Sequence, residues 1–251
     1  MTRWSSTSRL AGSLPSTPRI SQQQASQEAH LFETLVGSGA RDPSRAERWR
    51  TALSLALYAG ELDHARDIVR EASEDMPVVS MLDDVLAPAM HNIGMLWELN
   101  DITVADEHLA TFVAHRLLGE VAAALMVAAP GTRPRVLLAT PPAERHTFGL
   151  MMANDVLHGA GYETVMLGPG VPNRDLSAAL LRHQPEIVAL SSTIPDGEAL
   201  GTTASLVRQT LPGARLLTGG AAAQIVDPDV PAQHVARLDG LLDATEALLA
   251  A

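Results

Sequence analysis

The sequence predicts an α/β fold in two parts, a four-helix bundle followed by a parallel sheet with helices on both faces. Three observations carry this. Between Ala46 and Ala128 apolar residues recur at helical spacing with short breaks, and from Arg135 onward short apolar runs alternate with amphipathic segments. The run Pro130-Gly131-Thr132-Arg133-Pro134 separates the two regimes as a linker.

Taken in order, residues 1–45 are expected to be poorly ordered. Ser5-Ser6-Thr7-Ser8 and Ser21-Gln22-Gln23-Gln24-Ala25-Ser26 carry too little apolar surface to offset ordering entropy, and no continuous apolar stretch there resembles a secretory signal. The bundle is assigned to 46–129. Trp49, Leu53, Leu55, Leu57 and Tyr58 mark a first helix that stops near Gly60, and Leu62, Ala65, Ile68 and Val69 mark a second that ends before Pro77. A third runs from about Val78 to Leu99, with Met81, Val85, Met90, Ile93, Gly94 and Trp97 among its inward positions, until Asn100-Asp101 breaks it. Thr103-Val104-Ala105-Asp106 resembles a capping box and opens a fourth helix that continues to about Ala128.

The second part spans 130–251. Strands are predicted at 135–140, 162–167, 186–191 and 215–218, with a weaker fifth at 235–238. Helices fill 148–160, 173–183, 197–210 and 240–250.

Composition narrows the function. With 46% hydrophobic residues in 251, each part has enough apolar side chains for a core. No apolar run approaches the roughly 20 residues of a membrane span, so a soluble chain with no membrane partner is expected. The absence of cysteine removes disulfides, thiolate zinc sites, iron–sulfur clusters and cysteine nucleophiles, and a cytoplasmic location is the default expectation. A net charge of −11 with 3% aromatic residues argues against direct nucleic-acid contact. No residue set supports hydrolysis, phosphoryl transfer or nucleophilic catalysis, so a non-enzymatic role is expected.

The position of Glu144-Arg145-His146-Thr147-Phe148-Gly149 is the main functional signal. It lies between the first strand and the helix after it, on the edge where open α/β sheets bind ligands. A dinucleotide fingerprint would need Gly-x-Gly-x-x-Gly here, and Pro141-Pro142-Ala143-Glu144-Arg145-His146 stands in its place. Imidazole is a good transition-metal ligand, commonly oriented through its second nitrogen by a carboxylate. Glu144 is in reach by sequence, although spacing alone leaves that contact open.

These residues resemble the cobalamin-binding domains of methionine synthase, the corrinoid methyl carriers and the cobalamin-dependent mutases. Their signature is Asp-x-His-x-x-Gly, then after about forty residues Ser-x-Leu or Ser-x-Thr, then Gly-Gly. Glu144, His146 and Gly149 match the first element, with glutamate in place of the usual aspartate; Ser191 and Thr193 match the second, and Gly219-Gly220 the third. The resemblance implies a Rossmann-like, flavodoxin-like domain in which His146 is the lower cobalt ligand, the only metal ligand assigned. Arg145 shares the cofactor-binding loop, and the hydroxyls and glycines at the strand ends suit the cofactor's nucleotide tail.

In the bundle, Trp97, nine further residues and Glu107-His108 resemble the helical cap of CarH-type light-sensing transcription regulators. That likeness implies adenosylcobalamin as cofactor, with Trp97, Glu107 and His108 around the adenosyl group. The family has a histidine after this tryptophan, which ligates cobalt once light has expelled that group; here the residue is Glu98. His91 and His115 are the alternatives within the bundle, and His108 and His115 share a helix face. Water is a further candidate for that position.

No helix-turn-helix with clustered basic residues can be placed in the first 45 residues, so transcriptional control is expected to pass through a protein partner such as a transcription regulator. Related sensors also change self-association with light. The leading expectation is therefore a light sensor; the alternatives are a corrinoid methyl carrier for a methyltransferase system and a cobalamin storage or delivery module. His158, His183 and His234 receive no role, and Asp227-Pro228-Asp229 reads as a turn.

Overall fold

The computed structural model describes residues 22–36, 44–125, 133–194, 197–223 and 230–250. In the bundle, α2 (Arg45–Tyr58) and α3 (Leu62–Asp75) precede one long helical run. That run comprises α4 (Val78–Met81), a π-helical turn (Leu82–Leu86) and α5 (Ala87–Glu98), and α6 (Val104–Leu125) follows it. Ser44 opens α2 with a reciprocal capping box. Its hydroxyl accepts from the Glu47 N–H at 3.2 Å, while its own N–H donates to the Glu47 carboxylate at 2.7 Å. The box expected at Thr103 also forms, since Asp106 accepts from the Thr103 N–H at 2.8 Å and its own N–H donates to the Thr103 hydroxyl at 3.3 Å.

Residues 22–36 correct the expectation of disorder, because they form a helix, α1 (Gln22–Val36). Low apolar content was the wrong guide: Gln, Ala and Glu favour helix, and Leu31 and Leu35, four residues apart, supply a stripe that docks on the bundle. Leu31 is fully buried, and the Gln27 amide donates to the Asp101 carbonyl at 2.9 Å. The rest of that expectation, over residues 1–21 and 37–43, lies outside the described residues, as does the Asp227-Pro228-Asp229 turn.

The π turn has a covalent cause. Pro88 has no N–H, so the Asp84 carbonyl loses its helical donor. The Arg50 guanidinium donates to that carbonyl instead, at 3.2 and 3.4 Å, while the Ala87 N–H reaches back five residues to Leu82.

The second part is a five-stranded parallel sheet in the order β2-β1-β3-β4-β5. Its strands are β1 (Arg133–Ala139), β2 (Tyr162–Gly168), β3 (Ile187–Ser191), β4 (Arg215–Gly219) and β5 (Gln233–Val235). Between them lie α7 (Phe148–Gly159), α8 (Asn173–His183) and α9 (Gly197–Thr210), and α10 (Leu241–Ala250) follows β5. The order is that of the flavodoxin-like fold, whose switch point lies between β1 and β3. The fifth strand falls two residues before its expected start and ends in a 3-10 turn, Leu238–Gly240.

Alternation along the strands divides the core. Val136, Leu138, Ile187 and Leu217 face α7 and α10 and share one continuous core with the bundle, while Leu137, Ala139, Val188, Leu190 and Leu216 face α8 and α9.

Two seams join bundle and sheet. Along the first, α6 and α7 run side by side in the same direction: the His115 and Phe148 rings stack at 5.5 Å, and Gly159 lies against the Leu125 backbone. The second is a clamp at the π turn. Asp83 accepts from the N–H groups of Leu238 and Asp239 at 3.0 and 2.9 Å, and Arg237 pairs with Asp84 at 3.0 Å. Replacing Asp83 with Ala removes an N-terminal cap and a domain contact together. A loss of about 1–2 kcal/mol is expected in urea unfolding, and an unchanged midpoint would remove the clamp from the account of domain docking.

Candidate functional site

The loop after β1 is built around the Glu144 carboxylate, which is 1% exposed. One oxygen accepts from the His146 N–H and pairs with His146 Nδ1, both at 2.7 Å. The other accepts from the N–H of Thr193 at 2.6 Å, the Thr193 hydroxyl at 3.0 Å and the N–H of Ile194 at 3.1 Å. Burial alone would raise this carboxyl. The N–H groups of Thr193, His146 and Ile194, with the His146 ring, outweigh burial and hold it at about 2.

An ionised carboxylate only accepts, so the network assigns the His146 proton to Nδ1 and leaves a lone pair on Nε2. The imidazole is 71% exposed while its inner nitrogen is held by a buried group. With one nitrogen fixed by a carboxylate and the ring otherwise exposed, His146 could hold a metal through Nε2. Thr193 contributes a further contact, its hydroxyl lying 3.0 Å from Nδ1.

The strand ends expected to join this loop are adjacent to it. Ser191 pairs with Gly219 in the sheet, and the Ser192 N–H donates to the Gly219 carbonyl at 3.0 Å. Gly220 has φ +96°, and a Cβ there would lie 2.4 Å from the Ser192 carbonyl oxygen, so glycine is required on both counts. Gly149, in the first turn of α7, is exposed, and a Cβ there would meet no protein atom within 4 Å. Arg145 is exposed on the same loop.

Thr140 and Gly170 belong to this site although their types gave no functional signal. The Gly170 N–H donates to the Thr140 hydroxyl at 3.0 Å and to the Glu144 carbonyl at 3.1 Å, so the loop after β2 braces the histidine loop. The visible clue was Gly168-Pro169-Gly170, a strong turn signal at the same sheet edge.

The bundle residues form a second cluster. Trp97, expected to face inward, is 45% exposed at the end of α5. Glu107 accepts from the Thr111 hydroxyl at 2.8 Å and lies 3.6 Å from His108 Nε2, whose side chain is 75% exposed. Among the described residues no hydrogen bond or ion pair links this cluster to the Glu144 loop. Helix α6 relates the two. His115 stacks on Phe148 at the start of α7, so the part of α6 before His115 projects past the end of α7 and past the sheet edge. His108 is two turns earlier, about 10 Å along the axis. Val104, His108, Phe112 and His115 share one side of α6, and Val104 and Phe112 are 53% and 61% exposed. The overhang therefore presents apolar surface on the same side as His115, whose ring meets the residue two positions after His146.

Comparison with known proteins agrees with this geometry. Two B12 binding domain families match the chain, one over residues 49–121 and the other over residues 134–248. The chain belongs to the B12-binding proteins. It is 35% identical over 200 residues to the HTH-type transcriptional repressor CarH of Myxococcus xanthus, covering 77% of this chain and 65% of that protein. It is 30% identical over 173 residues to the repressor CarA of the same organism, covering 69% of this chain and 58% of that protein. The chain thus spans less than two thirds of either relative. The monomethylamine corrinoid protein of Methanosarcina barkeri has the same fold, with a TM-score of 0.66 at 14% identity, covering 82% of this chain and 99% of that one.

The cofactor of this B12-binding chain is a cobalamin, and the residues present fit it. Among the described residues no three His, Cys, Asp or Glu side chains gather to hold a free ion. A lone histidine suits a metal that arrives with its other ligands in a macrocycle. Gly149 leaves room beside that histidine, and the overhang supplies a broad apolar surface. No described helix is long and apolar enough to cross a membrane.

Proposed function

We propose that this chain is a non-enzymatic, cytoplasmic light sensor that uses adenosylcobalamin. The observation that carries the reading is the overhang, where Trp97, Glu107 and His108 sit on a projecting bundle end while His146 sits below at the sheet edge. The similarity to CarH over both parts supports it. Bound adenosylcobalamin supplies a cobalt–carbon bond that light cleaves.

The chain's residues then have distinct tasks. Glu144 holds His146 in one tautomer as the lower ligand, while Arg145, Gly149, Ser191, Thr193, Gly219 and Gly220 border the remainder of the cofactor. Trp97 would cover the adenosyl group with a large apolar face, and Glu107 and His108 would bond its polar atoms. Contacts of Trp97, Glu107 and His108 with that group would exist only while it is bound, which is the differential interaction a two-state switch requires. The bundle then shifts along the Leu125–Gly159 and Asp83–Arg237 seams and changes which surface meets a partner, such as a transcription regulator or a second copy of the chain.

An absorption spectrum in darkness and after green light, run beside size-exclusion chromatography, tests this. The expected result is a stable adenosylcobalamin complex whose spectrum and elution both change on illumination, and a His146→Ala variant whose bound cofactor lacks the histidine-ligated spectrum. A preference for methylcobalamin, or an adenosylcobalamin complex indifferent to light, would instead favour a methyl carrier or a storage module.

A further inference from the structure

We infer that α1 is a positioning element for the bundle cap, and that its docking and cobalamin binding support each other. The inference rests on the reading of Trp97, Glu107 and His108 as the residues around the adenosyl group. What carries it is the place where α1 is anchored, the short loop that joins the helix of Trp97 to the helix of Glu107 and His108.

That loop is closed from its own side by a helix stop and a helix start. The Asn100 N–H donates to the Trp97 carbonyl at 3.0 Å and the Asp101 N–H to the Leu96 carbonyl at 2.9 Å, with Asn100 at φ +61°, and this ends α5. Ile102 is buried, and the Thr103–Asp106 box opens α6. Asp101 lies between the two, and α1 holds both its backbone and its side chain. The Gln27 amide donates to the Asp101 carbonyl at 2.9 Å, and His30 Nε2 lies 3.4 Å from the Asp101 carboxylate. Gln27, His30 and Leu31 are spaced i, i+3 and i+4, so one face of α1 carries the whole attachment. Leu31 is fully buried, and Leu35, one turn later, packs against the same core. A shift of the loop that moved Trp97 relative to α6 would break this grip.

The converse follows from helix physics. A helix of 15 residues is marginal alone in water, so α1 keeps its helix through docking and can act as an order–disorder element. A ligand that needs the loop in the geometry α1 holds will stabilise α1, and linkage makes the effect equal in both directions. Residues 22–36 lie outside the family match over 49–121, so the attachment is separate from the matched domain. Loss of the adenosyl group would then loosen α1 and uncover the bundle surface beneath Leu31.

Hydrogen exchange on the full chain, cofactor-free and loaded with adenosylcobalamin in darkness, tests this without depending on the light response. The expected result is exchange slowed at least about fivefold on loading, both in residues 96–107 and in residues 22–36. A general gain in stability does not produce the second effect, because α1 opens locally. Leu31→Ala should weaken adenosylcobalamin binding by a similar factor in titration, and Leu31→Met should restore it. Gln27→Ala, which leaves Leu31 in place, should weaken binding in the same direction and decides the matter if Leu31→Ala misfolds. Slowed exchange in 96–107 with none in 22–36 overturns the inference, as does wild-type affinity in folded variants that have lost the α1 contacts. If loading changes neither segment, the reading of the cap residues has failed, and the inference with it.

Discussion

Replacing Glu144 with Gln is expected to destabilise the protein by about 3 kcal/mol at neutral pH and to release His146 from its fixed orientation. Five donors converge on the two carboxylate oxygens: the N–H groups of His146, Thr193 and Ile194, the Thr193 hydroxyl and His146 Nδ1. A glutamine has one acceptor oxygen and an NH2 group that would face donors, leaving buried N–H groups unpaired. The magnitude follows from the carboxyl's depression from 4.5 to about 2, since each unit corresponds to about 1.4 kcal/mol.

The pH dependence has a definite sign. The folded-state value lies below the unfolded one, so the stabilisation is complete above about 4.5 and is lost as pH falls to about 2. Wild type and Glu144→Gln should therefore differ in urea unfolding at pH 7 and converge near pH 2. Equal stabilities at pH 7 would show that the network does not hold the charge as described. Loss of cobalamin affinity should accompany the neutral-pH destabilisation, because a reoriented imidazole no longer directs Nε2 outward.

The sequence was legible where a local rule and a distant rule coincided. Strand alternation and turn residues located β1 to β4, and the order of Glu144-x-His146, Ser191-x-Thr193 and Gly219-Gly220 along the chain became proximity because all three end strands of one parallel sheet. Contacts between loops were less visible. Thr140 and Gly170 brace the site through a hydroxyl and a backbone N–H, groups that any chain carries, so residue type alone could not mark them. The Asp83–Leu238 bond joins residues 155 apart, and nothing local to either predicts the other. The uninterrupted helix expected over 78–99 took no account of Pro88. The outcome, a π turn completed by Arg50, depended on a neighbouring helix that the local pattern does not specify. For α1 the apolar count outweighed helix propensity, and a single well-placed stripe containing Leu31 reversed the result.

The largest structural effect is expected from Gly159→Val. A Cβ at this position would lie 2.3 Å from the Leu125 carbonyl oxygen and 2.8 Å from its carbon. Both are backbone atoms of α6, so no side-chain rotation relieves the overlap and the helix itself must move. Overpacking of this kind costs roughly 1–3 kcal/mol and sometimes more, and the two further methyl groups of valine place the expected loss at about 3 kcal/mol or above. Gly119 on α6 is the control, because a Cβ there meets nothing within 4 Å. Gly119→Ala should be neutral or stabilising by up to about 1 kcal/mol through helix propensity. The contrast bears on function as well as stability. Gly159 lies at the far end of the α6–α7 seam from His115 and Phe148, so displacing α6 there changes the position of the overhang relative to His146 while leaving the Glu144 network intact. Cobalamin retention should fall in Gly159→Val under conditions where the protein is still folded, with the His146 imidazole resonances unchanged in the cofactor-free state. Retention equal to wild type, with the expected stability loss present, would mean that the α6–α7 seam does not set the position of the bundle cap.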